Sequence, residues 1–404
     1  MTTIEQQRRF IMNAGGMLEE KSGPFRVSYT TRDLIIYALG VDASDKSYCY
    51  EGNDDFAAFP TYPLVLAYKG TSSDVVPFPG RTLYLIPEAL NGVVKSSDIL
   101  HYDQSIEIFE PLDPKGAELE IRTVVLGVYR RRGGALLRTK SSLKDSKTGR
   151  TLAETTQGMF MRGLEILGDA GPPLPPRTSH PTGPPHMVVA VTVSPRQAFL
   201  YRLSGDYNPI HVDPNAARAA GLKEPILHGL CSLGIAAREV LRCCCPLDPS
   251  GLVSLYCRFS RTVLPGEVLE VQMWEGVPLP DEDSEGSGQD EFARGVATAA
   301  TAAAASTAAS TTTTTTTNTQ TGSASTRRKP PETSSSSSSS AALREARIAT
   351  LAAAERGEQR QRHQVVRFEV CSPRQGGAVV VADGRAVLRR GKGGSETPSN
   401  RARL

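Results

Sequence analysis

The chain has 404 residues, enough for two to four domains of ordinary size. Its 46 basic and 43 acidic residues leave a net charge of +3, which gives no electrostatic case for nucleic acid or an anionic membrane as partner. No apolar run reaches the roughly 18 residues that suggest a membrane span. The seven cysteines form no CxxC pair, which favours a reducing compartment over a disulfide framework.

Changes in composition along the chain predict its domain organisation. Seven prolines within 169–187 predict a semi-rigid polyproline II linker. Seven consecutive Thr, seven consecutive Ser and no aromatic residue after Phe292 mark 278–361 as a disordered insertion, because such a segment cannot bury enough apolar surface to become ordered. The predicted order begins with an N-terminal segment (1–24), a first globular unit (25–168) and the linker (169–187). A second globular unit, interrupted by the insertion, follows (188–277 with 362–390), and a polar tail ends the chain (391–404).

Both globular units are predicted to begin extended, continue into a helix and end in several strands. In the first unit, the runs 119–128, 134–141 and 152–162 are strand-like. In the second unit, 225–241 carries apolar residues at helical spacing, and two strand-like runs follow it. The β-branched runs of 362–390 predict two more antiparallel strands that complete the second sheet. A helix followed by an antiparallel sheet is an α+β arrangement.

Short matches in the same order relate the two units. TRDLIIYAL at 31–39 aligns with PRQAFLYRL at 195–203, so that Arg, Tyr and Leu coincide at one offset. Two further pairs follow, ILH at 99 and 226, and GAELEI at 116 with GEVLEV at 266. Three matches in one order favour an internal duplication over coincidence, and therefore a pseudo-dimer of two similar units.

The segment 201–211 (YRLSGDYNPIH) carries the residues of greatest chemical interest. Its Gly, Asn and Pro residues favour a turn, which displays Asp206, Asn208 and His211 within six residues. A carboxylate, a carboxamide and an imidazole at this spacing can converge on one water molecule, and Asp and His are usual general acid and base groups. A solvated turn with a capping Asp is the alternative, and the spacing alone leaves both interpretations open.

This segment resembles the signature of the R-specific 2-enoyl-CoA hydratases, or hydratase 2, in the MaoC-like branch of the hot-dog fold. It matches the pattern Y-x-L-[ST]-G-D-x-N-P-[LIV]-H over 201–211. Through YALGV at 37–41 and LHYDQ at 100–104, the first unit resembles the N-terminal half of eukaryotic double hot-dog hydratases, such as the hydratase part of peroxisomal multifunctional enzyme type 2. The implied fold is two tandem hot-dog units, each a long central helix wrapped by a curled antiparallel sheet.

The resemblance implies reversible hydration of trans-2-enoyl-CoA to (3R)-3-hydroxyacyl-CoA in fatty-acid β-oxidation, without a cofactor or metal. Asp206 and His211 would be the catalytic pair, and Asn208 would orient the water or the carboxylate. The backbone N–H of Gly229 would stabilise negative charge on the thioester oxygen. Two alternatives are a 3-hydroxyacyl-thioester dehydratase of fatty-acid synthesis and a non-catalytic acyl-CoA-binding protein, and the intact acid and base argue against the second.

The resemblance also implies a set of residues that contact the acyl-CoA, namely His101, Arg130, Tyr207, Pro209, Ile210 and Phe259. A guanidinium is a natural partner for the CoA phosphates, although the run of three arginines from Arg130 also fits a solvated hairpin turn. Plain core packing is the alternative for Phe259.

The first unit is predicted to be catalytically silent. Asp42 aligns with Asp206, but Ser44 and Ser47 stand where Asn208 and His211 would be. Its implied role is to hold the acyl tail and part of the CoA. The candidate lining residues are Leu64, Leu66, Leu85 and Ile86, although ordinary core packing is the favoured interpretation for each one taken alone.

The last three residues, Ala402-Arg403-Leu404, have the small–basic–Leu form of a peroxisomal C-terminal address. They predict a peroxisomal location and the peroxisomal import receptor as a partner, besides the acyl-CoA substrate. A homodimer is left open, and neither a nucleic-acid partner nor a membrane span is predicted.

Overall fold

The computed structural model describes residues 24–78, 94–95, 98–166, 168–174, 180–246, 248–275 and 363–389. The N-terminal segment up to residue 23, the middle of the linker, all of the predicted insertion and the C-terminal tail lie outside the described residues. Apart from His363, the described residues belong to one structural unit. None of the helices in the described residues is long and apolar enough to cross a membrane.

Ten strands of the described residues form one sheet in the order β1-β3-β4-β5-β2-β7-β10-β9-β8-β6. In chain order they are β1 Phe25–Tyr29, β2 Ile99–Ile108, β3 Ala117–Arg131, β4 Gly134–Asp145, β5 Thr151–Arg162, β6 Met187–Thr192, β7 Leu252–Phe259, β8 Val268–Glu275, β9 His363–Ser372 and β10 Ala378–Arg389. The first five strands make one half and the last five the other. The halves join where β2 and β7 pair antiparallel, with Ile106 opposite Leu255.

The two strands after the insertion lie inside the second half of the sheet. β9 pairs with β8, and β10 pairs with β7, both antiparallel. The alternation in β9 turns Val366, Phe368 and Val370 into the core, where each is fully buried. The two strands predicted at 362–390 are therefore confirmed, while the domain boundaries drawn from composition stay a prediction.

Helices pack against this sheet. They are α1 Thr31–Gly40, α2 Lys46–Cys49, α3 Leu66–Lys69, α4 Gln197–Tyr201, α5 Pro214–Ala219 and α6 Gly229–Cys244. The predicted long helix is α6, which has 16 residues and buries Leu230, Leu233, Ala237 and Leu241. In the described part of the first unit, the helices have four to ten residues. The antiparallel sheet and these helices form the α+β double hot-dog fold that the resemblance implies, with α6 as the one helix longer than ten residues in the described part of the chain.

The repeated segments of the two units pack against each other. The rings of Tyr37 in α1 and Tyr201 in α4, which align in the sequence repeat, have centroids 5.9 Å apart. The side-chain amide of Gln197 donates to the carbonyl oxygens of Leu39 and Gly40, at 3.1 and 2.5 Å. The buried carboxamide satisfies two carbonyls of α1, and so ties the units together where their sequences match.

Described residues of the proline-rich linker contact both halves of the sheet. Ala170 forms a β-bridge with Val128 of β3. Further along, the indole N–H of Trp274 in β8 donates to the carbonyl oxygen of Gly183 at 3.1 Å. The described ends of this segment therefore lie against the sheet.

Candidate active site

Short-range hydrogen bonds hold the loop that carries the predicted catalytic residues. The backbone N–H of Asn208 donates to Oδ1 of Asp206 at 3.2 Å, and the N–H of Ile210 donates to Oδ1 of Asn208 at 3.3 Å. Asn208 caps the 3₁₀ turn Pro209–His211, and the proline keeps Asn208 out of helical geometry. The predicted turn is therefore present, and local bonds orient the carboxylate.

A glycine fixes this loop against the first unit. Gly205 has a φ of +124°, in a region that other residues rarely adopt. A Cβ there would lie 2.5 Å from the backbone nitrogen of Lys69 in α3. Only glycine allows this close approach, so the loop 205–211 rests directly on the backbone of the first unit.

His211 is buried and has one clear anchor. Its Nδ1 lies 2.8 Å from the carbonyl oxygen of Ile226. Because a carbonyl only accepts, Nδ1 carries the proton, and Nε2 is left with a free lone pair. Burial lowers the pKa of His211, while the carboxylate of Asp206 and the Ile226 carbonyl oppose that shift. The ring is thus neutral near pH 7, as a general base must be.

A second histidine, His228, lies against the first. The two imidazole rings are stacked, with centroids 3.6 Å apart and planes inclined by 24°. Nε2 of His228 lies 3.2 Å from the backbone carbonyl oxygen of Asp206. Burial, followed by the nearness of His211, lowers the pKa of His228 well below its usual value. The sequence alone did not place His228 beside Asp206 and His211.

Ligand atoms of Asp206, His211 and His228 lie within 4.8 Å of one another. The lone pair of an imidazole lies in the ring plane. Because the two rings are stacked with planes inclined by only 24°, their lone pairs lie in nearly parallel planes and do not converge on one metal ion without a rotation. A water molecule can bridge two polar atoms up to about 5.6 Å apart. The separation of Asp206 and His211 therefore suits a shared water.

These groups lie at a cavity of about 560 Å³, within the usual size range of small-molecule sites. Both units line it. The first unit contributes Tyr68, Phe78, Ile99, Leu100, His101, Tyr102, Arg131, Arg132, Gln157, Met159 and Phe160. The second contributes Asp206, Asn208, Ile210, His211, residues 226–230, Ser232, residues 259–263, Val380 and Val381. A mostly apolar chamber with an acid and a base on one wall suits a long apolar substrate with one reactive polar group.

Gly229 begins α6 and lines the same cavity. As the first residue of the helix, it has an N–H without a carbonyl partner inside the helix. A Cβ at this position would lie 3.3 Å from the ring of Phe259. The glycine therefore leaves room for a ligand atom at the positive end of the helix dipole.

Comparison with known proteins agrees with this fold. The family "MFE-2 hydratase 2 N-terminal domain" matches residues 27–163, and "MaoC like domain" matches residues 177–281. A probable enoyl-CoA hydratase 2 of Dictyostelium discoideum is 32% identical over 265 residues, which cover 64% of this chain and 86% of that protein. The chain belongs to the MaoC-like enoyl-CoA hydratase 2 family. The family resemblance read from 201–211 is thereby confirmed.

Two further relatives extend this comparison. Peroxisomal multifunctional enzyme type 2 of Drosophila melanogaster is 37% identical over 259 residues, which cover 61% of this chain and 41% of that protein. This chain therefore spans less than half the length of that relative. The crystal structure of a MaoC-like dehydratase from Phytophthora capsici matches with a TM-score of 0.65 and 31% identity, over 92% of this chain and 96% of that one.

Among the lining residues, His101 and Phe259 pack edge to face, with centroids 4.8 Å apart. Nε2 of His101 lies 3.1 Å from Oε1 of Gln104, and burial lowers the pKa of His101 to about 4. This histidine is therefore neutral near pH 7. Together with Ile210, these two predicted contact residues line the cavity.

Three other predicted contact residues are not among the lining residues. Arg130 is exposed, and its backbone N–H donates to Asp169, while Arg131 and Arg132 line the cavity instead. Tyr207 has the guanidinium of Arg202 over its ring at 4.9 Å. Pro209 starts the 3₁₀ turn. The sequence shows three consecutive arginines but not which of them faces the cavity, because that depends on how the end of β3 twists.

The candidate tail-binding residues of the first unit have mixed outcomes. Leu64 and Leu66 are buried in the hydrophobic core and do not line the cavity, which favours their alternative interpretation as core residues. Leu85 and Ile86 lie outside the described residues. Lining residues that the sequence reasoning missed include Tyr68 and Met159, which carried no motif signal.

The first-unit counterpart of Asp206 has a different partner. Asp42 has a φ of +60°, and its carboxylate Oδ2 lies 2.6 Å from a guanidinium nitrogen of Arg238 in α6. The side chain of Arg238 is only 10% exposed and also pairs with Glu239 at 2.6 Å. Asp42 therefore helps to neutralise a nearly buried charge on the central helix of the second unit.

Proposed function

We propose that this chain adds water reversibly to trans-2-enoyl-CoA, giving (3R)-3-hydroxyacyl-CoA in fatty-acid β-oxidation. The observation that carries this proposal is the pairing of the Asp206 carboxylate with a neutral, buried His211 on one wall of an apolar cavity. Membership of the hydratase 2 family supports the reaction and its stereochemistry. Dehydration of a 3-hydroxyacyl thioester is the same step in reverse.

The pair handles both protons of the reaction. Asp206 and Nε2 of His211 hold the attacking water, and one of them takes its proton as oxygen bonds to C3. The pair then delivers a proton to C2 on the same face of the substrate, so the net change is one water added. The bond from Nδ1 of His211 to Ile226 stabilises the imidazolium when the ring is protonated. Asn208 holds the loop in the conformation that presents both groups.

Attack at C3 moves negative charge onto the thioester oxygen. The N–H of Gly229 at the start of α6 is the donor proposed for that oxygen, assisted by the helix dipole. Loss of one such donor in other enzymes costs about 10²–10³ in rate.

The two ends of the substrate have separate candidate partners. Arg131 and Arg132 line the cavity, and guanidinium groups bind phosphates strongly, so they are proposed to hold the CoA phosphates in place of Arg130. Apolar residues of the first unit, such as Leu100 and Met159, also line the cavity, which supports the proposal that this unit receives the acyl tail.

The proposed location is the peroxisome, with the import receptor binding Ala402-Arg403-Leu404. These residues lie outside the described part of the chain. Relatives named as peroxisomal, including one from Drosophila melanogaster, support this location. Removal of the three residues from a fluorescent fusion should abolish import, and unchanged import would contradict the proposal. The homodimer stays a prediction.

The reaction is tested by hydration of trans-2-enoyl-CoA with the full chain. We expect Asp206→Asn and His211→Gln each to reduce kcat by about 10²-fold or more while circular dichroism is unchanged. Asp213→Asn is a matched control, because Asp213 caps the neighbouring α5 and asparagine caps as well. Chiral analysis should give the 3R product. Near-normal rates in either folded variant, or a 3S product, would contradict the proposal.

A further inference from the structure

His228 is a buried histidine to which the proposed reaction gives no role, although its ring contacts both His211 and Asp206. We propose that His228 is a positioning residue that fixes the orientation of His211 and Asp206 and shields the stacked face of the His211 ring from bulk water. This inference rests on the proposed function for the roles of Asp206 and His211. The contacts of His228 with His211 and Asp206 are observed independently of that function.

The first contact is the stack with His211. A single hydrogen bond, from Nδ1 to the carbonyl oxygen of Ile226, fixes one atom of the His211 ring. The ring can still rotate about the axis of that bond. Contact with a second ring whose centroid is 3.6 Å away removes this rotation. The hydrogen bond and the stack together set the direction of the Nε2 lone pair.

The second contact reaches Asp206. Nε2 of His228 donates to the backbone carbonyl oxygen of Asp206 at 3.2 Å. His228 also stands directly before Gly229, as the cap of α6. One ring therefore touches the base, anchors the backbone of the acid and adjoins the proposed oxyanion donor. A displacement of His228 would move all three groups together.

The surroundings of His228 keep it uncharged. Its Nδ1 is buried and has no hydrogen-bond partner among the described residues. A proton on Nδ1 would thus find no acceptor. The other charged or titratable groups that face the ring are His211, Asp206 and Arg202 from the loop and Tyr201, whose ring centroid is 4.9 Å away. A neutral ring does not oppose the protonation of His211, whereas a cationic one would repel it.

If His228 only filled space in the core, its replacement would have a different effect from the one that a positioning role predicts. Its replacement would lower stability, and any loss of activity would follow the loss of folded protein. A positioning role predicts a fall in kcat with little change in KM, and a change in the pH dependence of kcat. Two substitutions separate the two contacts of the ring.

His228→Phe keeps a ring over His211 and excludes water, but loses the donor to Asp206. We expect kcat to fall about 10-fold, with the acidic limb of the kcat profile unmoved. His228→Gln keeps an amide donor and loses the ring, so bulk water reaches the face of the His211 ring that His228 covers in the wild type. We expect its kcat to fall about 10-fold or more. The acidic limb should move to higher pH, because the desolvation that lowers the pKa of His211 is relieved.

Cys231→Ala is the matched control. Cys231 is fully buried on the same turn of α6, and its thiol points to the carbonyl oxygen of Gly40, away from the cavity. We expect this variant to lower Tm without moving the acidic limb. A kcat of His228→Gln within about 3-fold of the wild type, or an unmoved limb, would overturn the proposal.

A measurement independent of turnover separates this inference from the proposed function. NMR titration of the His211 C2 proton should show a higher pKa in His228→Gln than in the wild-type chain, whether or not the chain hydrates enoyl-CoA. An unchanged His211 titration overturns the positioning role. If the wild-type chain is inactive but the His211 pKa is still raised in His228→Gln, only the proposed hydration activity is overturned. If His228→Gln does not fold, His228→Phe decides the question, and wild-type kcat in that variant overturns the proposal.

Discussion

Gly229→Ala is the substitution that best isolates the proposed oxyanion donor from the stability of the fold. Gly229 begins α6, and its added Cβ would lie 3.3 Å from Cδ1 and Cε1 of Phe259. The usual contact between carbon atoms is about 3.5–4.0 Å. The Phe259 ring must therefore move by a few tenths of an ångström, and with it the edge-to-face contact with His101.

The effects of Gly229→Ala on stability nearly cancel. Tight packing of this size costs about 1 kcal/mol. Replacing glycine by alanine in a helix recovers about 0.5–1 kcal/mol. We therefore expect a free energy of unfolding within about 1 kcal/mol of the wild type. The methyl group, however, narrows the cavity beside the proposed donor N–H, and loss of one such donor lowers kcat by about 10²–10³-fold, so we expect a fall of that order.

The assay is stopped-flow hydration of trans-2-enoyl-CoA beside urea unfolding monitored by circular dichroism. Gly168→Ala is the control, because a Cβ at Gly168 meets no atom within 4 Å. It should leave both quantities unchanged. A Gly229→Ala variant with kcat within about 3-fold of wild type and unchanged stability would refute the assignment of the oxyanion donor.

Three further outcomes are expected. Asp42→Asn should leave kcat unchanged but lower the free energy of unfolding by about 1–2 kcal/mol, because Arg238 loses one of its carboxylate partners; urea unfolding measures this, and an altered kcat would show a role in the chemistry. Burial lowers the pKa of His101 from 6.5 to about 4, so the unfolded chain binds more protons in that window, and the contribution of His101 to stability should fall by about 3 kcal/mol as the pH drops through it. His101→Gln should flatten this pH dependence in urea titrations, and an unchanged slope would refute the cause. Removal of 285–361 should preserve Tm and hydration rate, whereas removal of 363–389 takes β9 and β10 from the sheet and should give insoluble protein; the opposite pattern would refute the assignment.

Structural features that depend on contacts between residues near one another in the sequence could be predicted from the sequence. The turn at Asp206–Asn208–Ile210 is held by bonds between residues two apart, so its residue types determine it directly. Strands and the helix α6 follow from alternation and helical spacing, which are local patterns. The order of the repeated motifs predicted two related units, because a duplicated sequence folds into duplicated structure. The candidate site residues Asp206, Asn208 and His211 could therefore be placed on one loop from the amino-acid sequence alone.

Contacts between distant segments were decided only by tertiary structure. His228 and His211 are both visible in the sequence, yet their stacking depends on how the start of α6 meets the catalytic loop. The pairing of Asp42 with Arg238 spans 196 positions along the chain. Which arginine of the β3 hairpin faces the cavity depends on the twist of that strand end. Local pattern sets the direction of a side chain relative to its own element, but only the packing of the two units sets what that side chain meets.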